Sequence, residues 1–85
     1  MGKHDKLIRK IMLARSDANI AFTDLIALLL AMGFRERVRG SHHLFTRSDV
    51  VERVNLQRDG SKVKPYQVRQ VRAILSQYGW RQDNA

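Results

Sequence analysis

The spacing of apolar residues along the chain predicts two helices in its first part. Between residues 3 and 15, apolar side chains recur every three to four positions among lysines and arginines, which is typical of an amphipathic helix. The segment from Asp24 to Met32 is apolar almost all the way round, so we expect it to be covered on two sides. We expect the first helix to supply the second cover, although a partner protein could supply it instead.

Turn-forming residues set the predicted ends of the second helix. Thr23 can cap its first turn, because a hydroxyl oxygen accepts a hydrogen bond from a backbone N–H that has no partner within the helix. Gly33 suits the left-handed position after the last turn, and Phe34 would then reach back to Leu29 in a Schellman motif. We therefore expect the helix to end just before Gly33 and the chain to continue as a strand.

Three short segments of β-type composition follow, and they predict an antiparallel sheet. The segments are residues 34–39, 42–47 and 51–57. A turn at residues 58–61 then leads to a last helix, for which Pro65 suits the first turn. The order of helix, helix, three strands and helix predicts a single α+β domain over residues 1–85.

The last helix has one apolar stripe and a predicted stop signal. The stripe contains Val68, Val71, Ile74, Leu75 and Tyr78. Gly79 is suited to end the helix, and Trp80 could then cover Leu75. We expect residues 81–85 to be a frayed tail.

The Gly40-Ser41 dipeptide predicts the register of the sheet. Glycine at the first position of a two-residue turn favours a type II′ hairpin, in which Arg39 faces His42 and Val38 faces His43. Side chains alternate between the two faces of a strand, so the two histidines should point in opposite directions. The inner face should carry Phe34, Val38, His43, Phe45, Val54 and Leu56. The outer face should carry Arg35, Arg37, Arg39, His42, Leu44, Thr46, Arg53 and Asn55.

The charge of the chain favours a polyanionic partner. Sixteen lysines and arginines stand against eight aspartates and glutamates, for a formal charge of +8. Nucleic acid is the leading candidate, and a docking face for an acidic protein or a merely solvated surface is the alternative. The chain has no cysteine, which fits a reducing compartment such as the cytoplasm. The uncharged run at residues 25–34 is too short to cross a membrane, and no signal peptide is evident.

His42 is the candidate catalytic residue. An imidazole can move the proton of a ribose 2′-hydroxyl or of a leaving 5′-oxygen, while Arg37 and Arg39 on the same face could hold a phosphate. We expect His43 to be a packed histidine with a hydrogen-bonded nitrogen. Because the two histidines face opposite ways and no cysteine or well-placed carboxylate accompanies them, we expect neither a metal site nor a cofactor. A second basic cluster could bind phosphates or be a solvated helix face; it contains Lys62, Lys64, Arg69 and Arg72.

The sequence Gly40-Ser41-His42-His43-Leu44-Phe45, preceded by a leucine-rich helix that ends in Met32-Gly33-Phe34, resembles the HicA family of toxins. The resemblance runs from about Ile20 to Trp80, and residues 1–18 form an extra N-terminal helical extension. It implies an α-β-β-β-α fold like that of double-stranded-RNA-binding domains (dsRBD-like). It also implies an mRNA interferase of a type II toxin–antitoxin system, neutralised by a HicB-type antitoxin. In the family the histidine directly after Gly-Ser is catalytic, and that position is His42.

Two functional hypotheses follow from the sequence. The leading one is a metal-independent endoribonuclease toxin in which His42 is the general acid or base, and Arg37, Arg39 and the second basic cluster bind the RNA backbone. The alternative is a non-catalytic, dsRBD-like RNA-binding module that uses the same surface. A helix-turn-helix DNA-binding protein is disfavoured by the short strands on either side of Gly40-Ser41. The segment before the last helix differs from the typical family pattern, which indicates a divergent branch. The sequence does not determine an oligomeric state.

Overall fold

Three helices and two small sheets make up the computed structural model, which describes residues 4–79. In chain order the elements are α1 (Asp5–Leu13), a 3₁₀ turn (Asp17–Asn19), α2 (Phe22–Ala31), β1 (Arg35–Arg39), β2 (His42–Arg47), β3 (Val50–Leu56), β4 (Arg58–Asp59), β5 (Lys62–Val63) and α3 (Pro65–Tyr78). The predicted α+β class is confirmed, and the architecture is consistent with a dsRBD-like fold. The predictions for Trp80 and for a frayed tail at residues 81–85 lie outside the described residues. Within the described part of the chain, no helix has the length and apolar character needed to cross a membrane.

The main sheet has the strand order β1-β2-β3, with both pairs antiparallel. Arg39 pairs with His42 and Val38 with His43, so the predicted register is confirmed. Gly40 has a φ of 58°, and Ser41 has no positive φ, as a type II′ turn requires. Because only a residue without a Cβ adopts such a φ without strain, this glycine holds the two strands in register.

The inner face of the sheet packs against the helices, with one exception. Phe34, Phe45, Val54 and Leu56 are buried as predicted. Val38 is 54% exposed, so its predicted place in the core is wrong. The reason is its position on an edge strand, because all five residues of β1 are exposed.

Helix α2 begins two residues earlier than predicted and ends as predicted. The residue that precedes it is Ala21, without a side-chain cap, so the assignment of Thr23 as the cap is wrong. The first N–H of the helix, on Phe22, instead donates to the carbonyl of Ser61 at 3.0 Å. At the other end, Gly33 has a φ of 90° and the Phe34 N–H donates to the Leu29 carbonyl at 3.1 Å, which confirms the Schellman motif.

The segment predicted as a turn before α3 is a small hairpin, β4-β5. Gly60, with a φ of 67°, occupies its turn, so this hairpin is closed by a Gly-Ser pair as the β1-β2 hairpin is. The hairpin also joins the start of α2, because Lys62 bridges to Ala21 and the Val63 N–H donates to the Ile20 carbonyl at 3.0 Å. Strands of two residues are too short to show alternation, which is why sequence reasoning missed them.

Helix α1 covers the core only in part. Its Ile11 is completely buried, and Leu7 and Ile8 pack partly against the core. However, a groove lined by Leu7 and Ala27 separates α1 from α2, and Leu30 of α2 remains 46% exposed. The expectation that α1 covers the second face of α2 is therefore met only partly.

Arg72 links α3 to the N-terminal part of the chain. Its Nη1 and Nη2 donate to the two carboxylate oxygens of Asp17 at 2.9 and 3.0 Å. Nη1 also donates to the carbonyl of Ile11 in the last turn of α1, at 3.0 Å. The hydrogen bonds from Arg72 hold the pKa of the Asp17 carboxyl below its ordinary value. Since both side chains are largely buried, at 20% and 18% exposure, this pair fixes α1 and the 3₁₀ turn on α3.

We predict that Arg72→Gln lowers the free energy of unfolding by about 1.5–3 kcal/mol near neutral pH, because it removes hydrogen bonds to a charged, partly buried group. Because the folded-state pKa of Asp17 is lowered, its contribution is present above the ordinary value of 3.8 and is lost as the pH falls through the lowered pKa. The difference between the variant and the wild type should therefore shrink in strong acid. Urea denaturation across this pH range measures it. Arg9→Gln, at an exposed position on α1, is the control and should change stability by less than about 0.5 kcal/mol. Equal losses in both variants would contradict the assignment.

We predict that Gly40→Ala destabilises the protein by about 1–2 kcal/mol, because alanine is strained at a φ of 58°. The space around a Cβ at this position is open, so the loss would come from the backbone and not from a clash. Urea denaturation measures the loss against the wild-type protein. A Gly40→Ala protein as stable as the wild type would show that the turn does not require glycine.

Candidate functional site

The outer face of the sheet brings the predicted catalytic histidine beside two of the predicted phosphate ligands. His42 on β2 lies directly opposite Arg39 on β1, and Arg37 lies two residues further along the same strand and face. All three side chains are exposed. Neighbours across a pair of strands have Cβ atoms about 4.5–5.5 Å apart, and diagonal neighbours are within reach of long side chains. One phosphate could therefore contact both arginines and the imidazole.

Asn55 on β3 orients the His42 ring. His42 Nδ1–H donates to Asn55 Oδ1 at 3.3 Å. With the amide oxygen as acceptor, the proton lies on Nδ1 and the lone pair of Nε2 is available to accept a proton. Sequence reasoning placed Asn55 on the outer face but gave it no role in the site. The register of β2 with β3, in which Leu44 faces Asn55, is the signal that could have found it.

The charged side chains on the outer face of the main sheet are all positive. Its outward positions on the three strands carry four arginines and no carboxylate: Arg35, Arg37, Arg39 and Arg53. The glutamates of these strands have partners elsewhere, since Glu36 binds His43 and Glu52 accepts a hydrogen bond from the Tyr78 hydroxyl at 2.9 Å. An anion on this face therefore meets attraction from several sides.

His43 has the packed environment that the alternation predicts. Its Nδ1–H donates to Glu36 Oε2 at 2.7 Å, and its side chain is 23% exposed. The ring meets the Phe22 ring edge to face, with centroids 5.0 Å apart. Sequence reasoning did not identify Glu36 as the partner, although the residue lies diagonally across the same strand pair and on the same face. A carboxylate-bound imidazole is also chemically able to accept a proton at Nε2.

Two glutamines connect the hairpin turn to the start of α3. Gln57 Nε2–H donates to Ser41 Oγ at 3.2 Å, and the Gln57 backbone N–H donates to Gln67 Oε1 at 3.2 Å. Gln67 is 2% exposed, and its Oε1 also lies 3.4 Å from the Lys64 backbone nitrogen, which donates to it. These bonds place the first turn of α3 and Lys64 next to the turn that precedes His42. Neither glutamine was predicted to belong to the site.

The other basic residues of the predicted site are spread over the molecule. Lys62 lies in β5 and lines the groove between α1 and α2, together with Lys6 and Lys10. Arg69 is exposed on α3. Arg72 faces α1 and the 3₁₀ turn, where its guanidinium is bound to Asp17, so this geometry favours a structural role over a contact with RNA. In residues 4–79, histidine and carboxylate side chains form no cluster of three or more that could hold a metal ion.

Comparison with known proteins identifies the family. A family model for the HicA toxin of bacterial toxin–antitoxin systems matches residues 22–82, from the first residue of α2 to beyond α3. The match includes the sheet and its hairpin, and it leaves out α1 and the 3₁₀ turn. A comparison with curated proteins and one with solved structures gave no match. Because the family model covers most of the chain, the protein belongs to the HicA family of toxins of bacterial toxin–antitoxin systems, which are generally RNA-cleaving proteins.

Proposed function

We propose that this protein is an mRNA interferase, an endoribonuclease that uses His42 as its general acid or base and needs no metal ion. The observation that carries the proposal is the placement of His42, whose ring is exposed, hydrogen-bonded through Nδ1 to Asn55 and adjacent to Arg37 and Arg39. Membership of a family of toxins that are generally ribonucleases supports it.

The chemistry requires one proton acceptor and stabilisation of negative charge. His42 Nε2 takes the proton of a ribose 2′-hydroxyl, and the 2′-oxygen attacks the adjacent phosphorus. The bond from phosphorus to the 5′-oxygen breaks, and that oxygen receives a proton from an acid or from water. Negative charge grows on the phosphoryl oxygens in the transition state, where Arg37 and Arg39 stabilise it. In the reverse assignment, protonated His42 supplies the proton to the 5′-oxygen.

The RNA path follows the basic residues that lie nearest to His42. Arg37 and Arg39 hold the phosphate at the reaction site. Lys64 extends the path, since its backbone connects through Gln67 and Gln57 to the hairpin turn. Lys62 and Arg69 contribute attraction at longer range. We give Arg72 a structural role, because its guanidinium is bound within the protein.

The partner and location are also proposals. A HicB-type antitoxin is the protein partner that family membership suggests, and the charge of +8 favours an acidic one. A chain without cysteine fits the reducing cytoplasm, where mRNA is available.

A second candidate function is a non-catalytic RNA-binding module. The row of arginines on the outer face favours it, because such a surface binds phosphates without any chemistry at His42. The two functions differ in one measurement. Labelled RNA incubated with the purified protein in EDTA is cut by the enzyme, whereas a module would shift it intact.

We predict that His42→Ala lowers the cleavage rate about 10²–10⁴-fold, the usual contribution of one general acid or base. The variant should retain the circular dichroism spectrum and the unfolding midpoint of the wild type, because the side chain is exposed. Cleavage of labelled RNA in EDTA measures the loss. The control is His4→Ala, which removes a histidine before α1 and should leave the rate unchanged.

Two results with histidine variants would overturn the assignment of His42 as the proton-transfer group. If His42→Ala cleaves at the wild-type rate, His42 is not the proton-transfer group. If His43→Ala is folded but inactive while His42→Ala is active, the role belongs to the histidine that is bound to Glu36.

We predict that replacing Arg37 and Arg39 together with alanine weakens RNA binding and reduces its dependence on salt. Each phosphate contact to a single strand contributes about 0.7 to the slope of log K against log salt, so the slope should fall by about 1.4. Fluorescence anisotropy with labelled RNA measures it, in the His42→Ala background so that the RNA stays intact. Arg9→Ala, an exposed arginine on α1, is the control for a lost charge. An equal loss per charge in the control would show that only net charge matters.

A further inference from the structure

The two edges of the main sheet differ in whether side chains from other elements bind their backbone groups. At the β3 edge, side chains of α3 bind backbone groups that point away from β2. The bonds run from Val51 N–H to Tyr78 Oη at 3.3 Å, from Gln70 Nε2 to the Arg53 carbonyl at 2.8 Å, and from Gln57 N–H to Gln67 Oε1 at 3.2 Å. This edge is therefore closed to any further strand.

The β1 edge is open. A two-residue hairpin places Arg39 and His42 in a hydrogen-bonded pair, and such pairs alternate along an antiparallel ladder. The backbone N–H and C=O groups of Glu36 and Val38 therefore point away from β2. In residues 4–79 no other strand pairs with β1, and no side chain hydrogen-bonds to these backbone groups. All five residues of β1 are exposed, including the apolar Val38.

The side chains of β1 determine which strand fits beside it. Arg35, Arg37 and Arg39 point to the outer face, and Val38 points to the other face beside His43. A second copy of β1 would bring arginines close to arginines, and like charges facing each other across two strands are destabilising. A strand with carboxylates at alternate positions would instead pair each of them with an arginine. An apolar side chain on its other face would cover Val38.

We propose that β1 accepts an added strand from a partner protein, an extended segment with aspartate or glutamate at alternate positions facing the three arginines. The main-chain bonds to Glu36 and Val38 give affinity, and the alternating carboxylates give register. The occupied arginines include Arg37 and Arg39, so the added strand excludes RNA from the outer face. This last consequence rests on the proposed function, whereas the strand addition itself does not.

The test uses the full chain and a synthetic peptide in which glutamate and valine alternate. Fluorescence anisotropy of the labelled peptide measures binding without RNA, and amide hydrogen exchange by NMR locates it. We expect binding together with slower exchange at the N–H groups of Glu36 and Val38. A peptide of the same composition with its glutamates in one block should bind at least about tenfold more weakly, because its charges cannot match alternate arginines.

Two changes separate strand addition from simple charge attraction. A peptide with N-methyl groups on the amides that face β1 should bind about tenfold more weakly, since it cannot donate the main-chain hydrogen bonds. The comparison with the N-methylated peptide uses the wild-type protein. In the protein, Val38→Pro removes an edge N–H at a position where proline is tolerated. It should therefore weaken peptide binding more than its control, Val38→Ala, does. Arg37→Ala should weaken binding more than Arg9→Ala does.

Each other outcome would overturn the proposal. Equal binding of the alternating, block and N-methylated peptides would show attraction by net charge alone. Absence of binding at millimolar peptide, or unchanged exchange at Glu36 and Val38, would show that the edge does not accept a strand. An RNA oligonucleotide that protects both amides as strongly as the peptide would assign the edge to RNA. The result is independent of cleavage, because a protein that cuts RNA could fail this test and an inactive one could pass it.

Discussion

The register set by the Gly40-Ser41 turn is the constraint on which the candidate site depends. Side chains alternate along a strand, so a slip of one residue would move His42 to the inner face and His43 to the outer one. The positive φ of Gly40 and the pairing of Arg39 with His42 prevent that slip. Gln57 adds a second restraint, because it ties Ser41 to the start of α3. The hairpin thus has both a local and a long-range reason to present His42 outward.

Adjacent histidines acquire different chemistry from their partners. His42 is oriented by the neutral amide of Asn55, whereas His43 is bound to the carboxylate of Glu36 and packed on Phe22. A neutral partner orients an imidazole without adding negative charge to a surface of arginines. A carboxylate at that place would repel the phosphate that the site has to hold. Arg58 packs on the same Phe22 ring as His43, and its guanidinium carbon lies 4.5 Å from the centre of that ring.

Local signals predicted the register of the main sheet, the end of α2 and the start of α3, but they placed the start of α2 wrongly. Contacts between residues far apart in sequence could not be predicted from local patterns. The register, the Schellman motif after α2 and the start of α3 at Pro65 depend on neighbouring residues, and all three were predicted. The position of Arg72 depends on Asp17, fifty-five residues earlier, so its charge alone suggested a ligand for RNA. Glu36, Asn55 and Gln67 acquire their contacts only when strands and helix assemble. The β4-β5 hairpin was missed because each of its strands has two residues, too few for a periodic pattern.

The open edge of the sheet follows from the same arrangement that places α3. Because α3 lies along β3 and its side chains bind the backbone there, one edge needs no further protection. At the other edge, no strand or side chain of residues 4–79 bonds to the outward backbone groups of β1. The charge of its arginines disfavours pairing with a second copy of the same strand. Charge of one sign repels a copy of the same strand but attracts a strand of opposite charge, so the protection is selective. RNA and an acidic strand would both use these arginines, but only the strand could also satisfy the free N–H and C=O groups of Glu36 and Val38. An acidic strand could therefore compete with a polyanion of much higher charge and block access to the surface around His42 without contacting the imidazole.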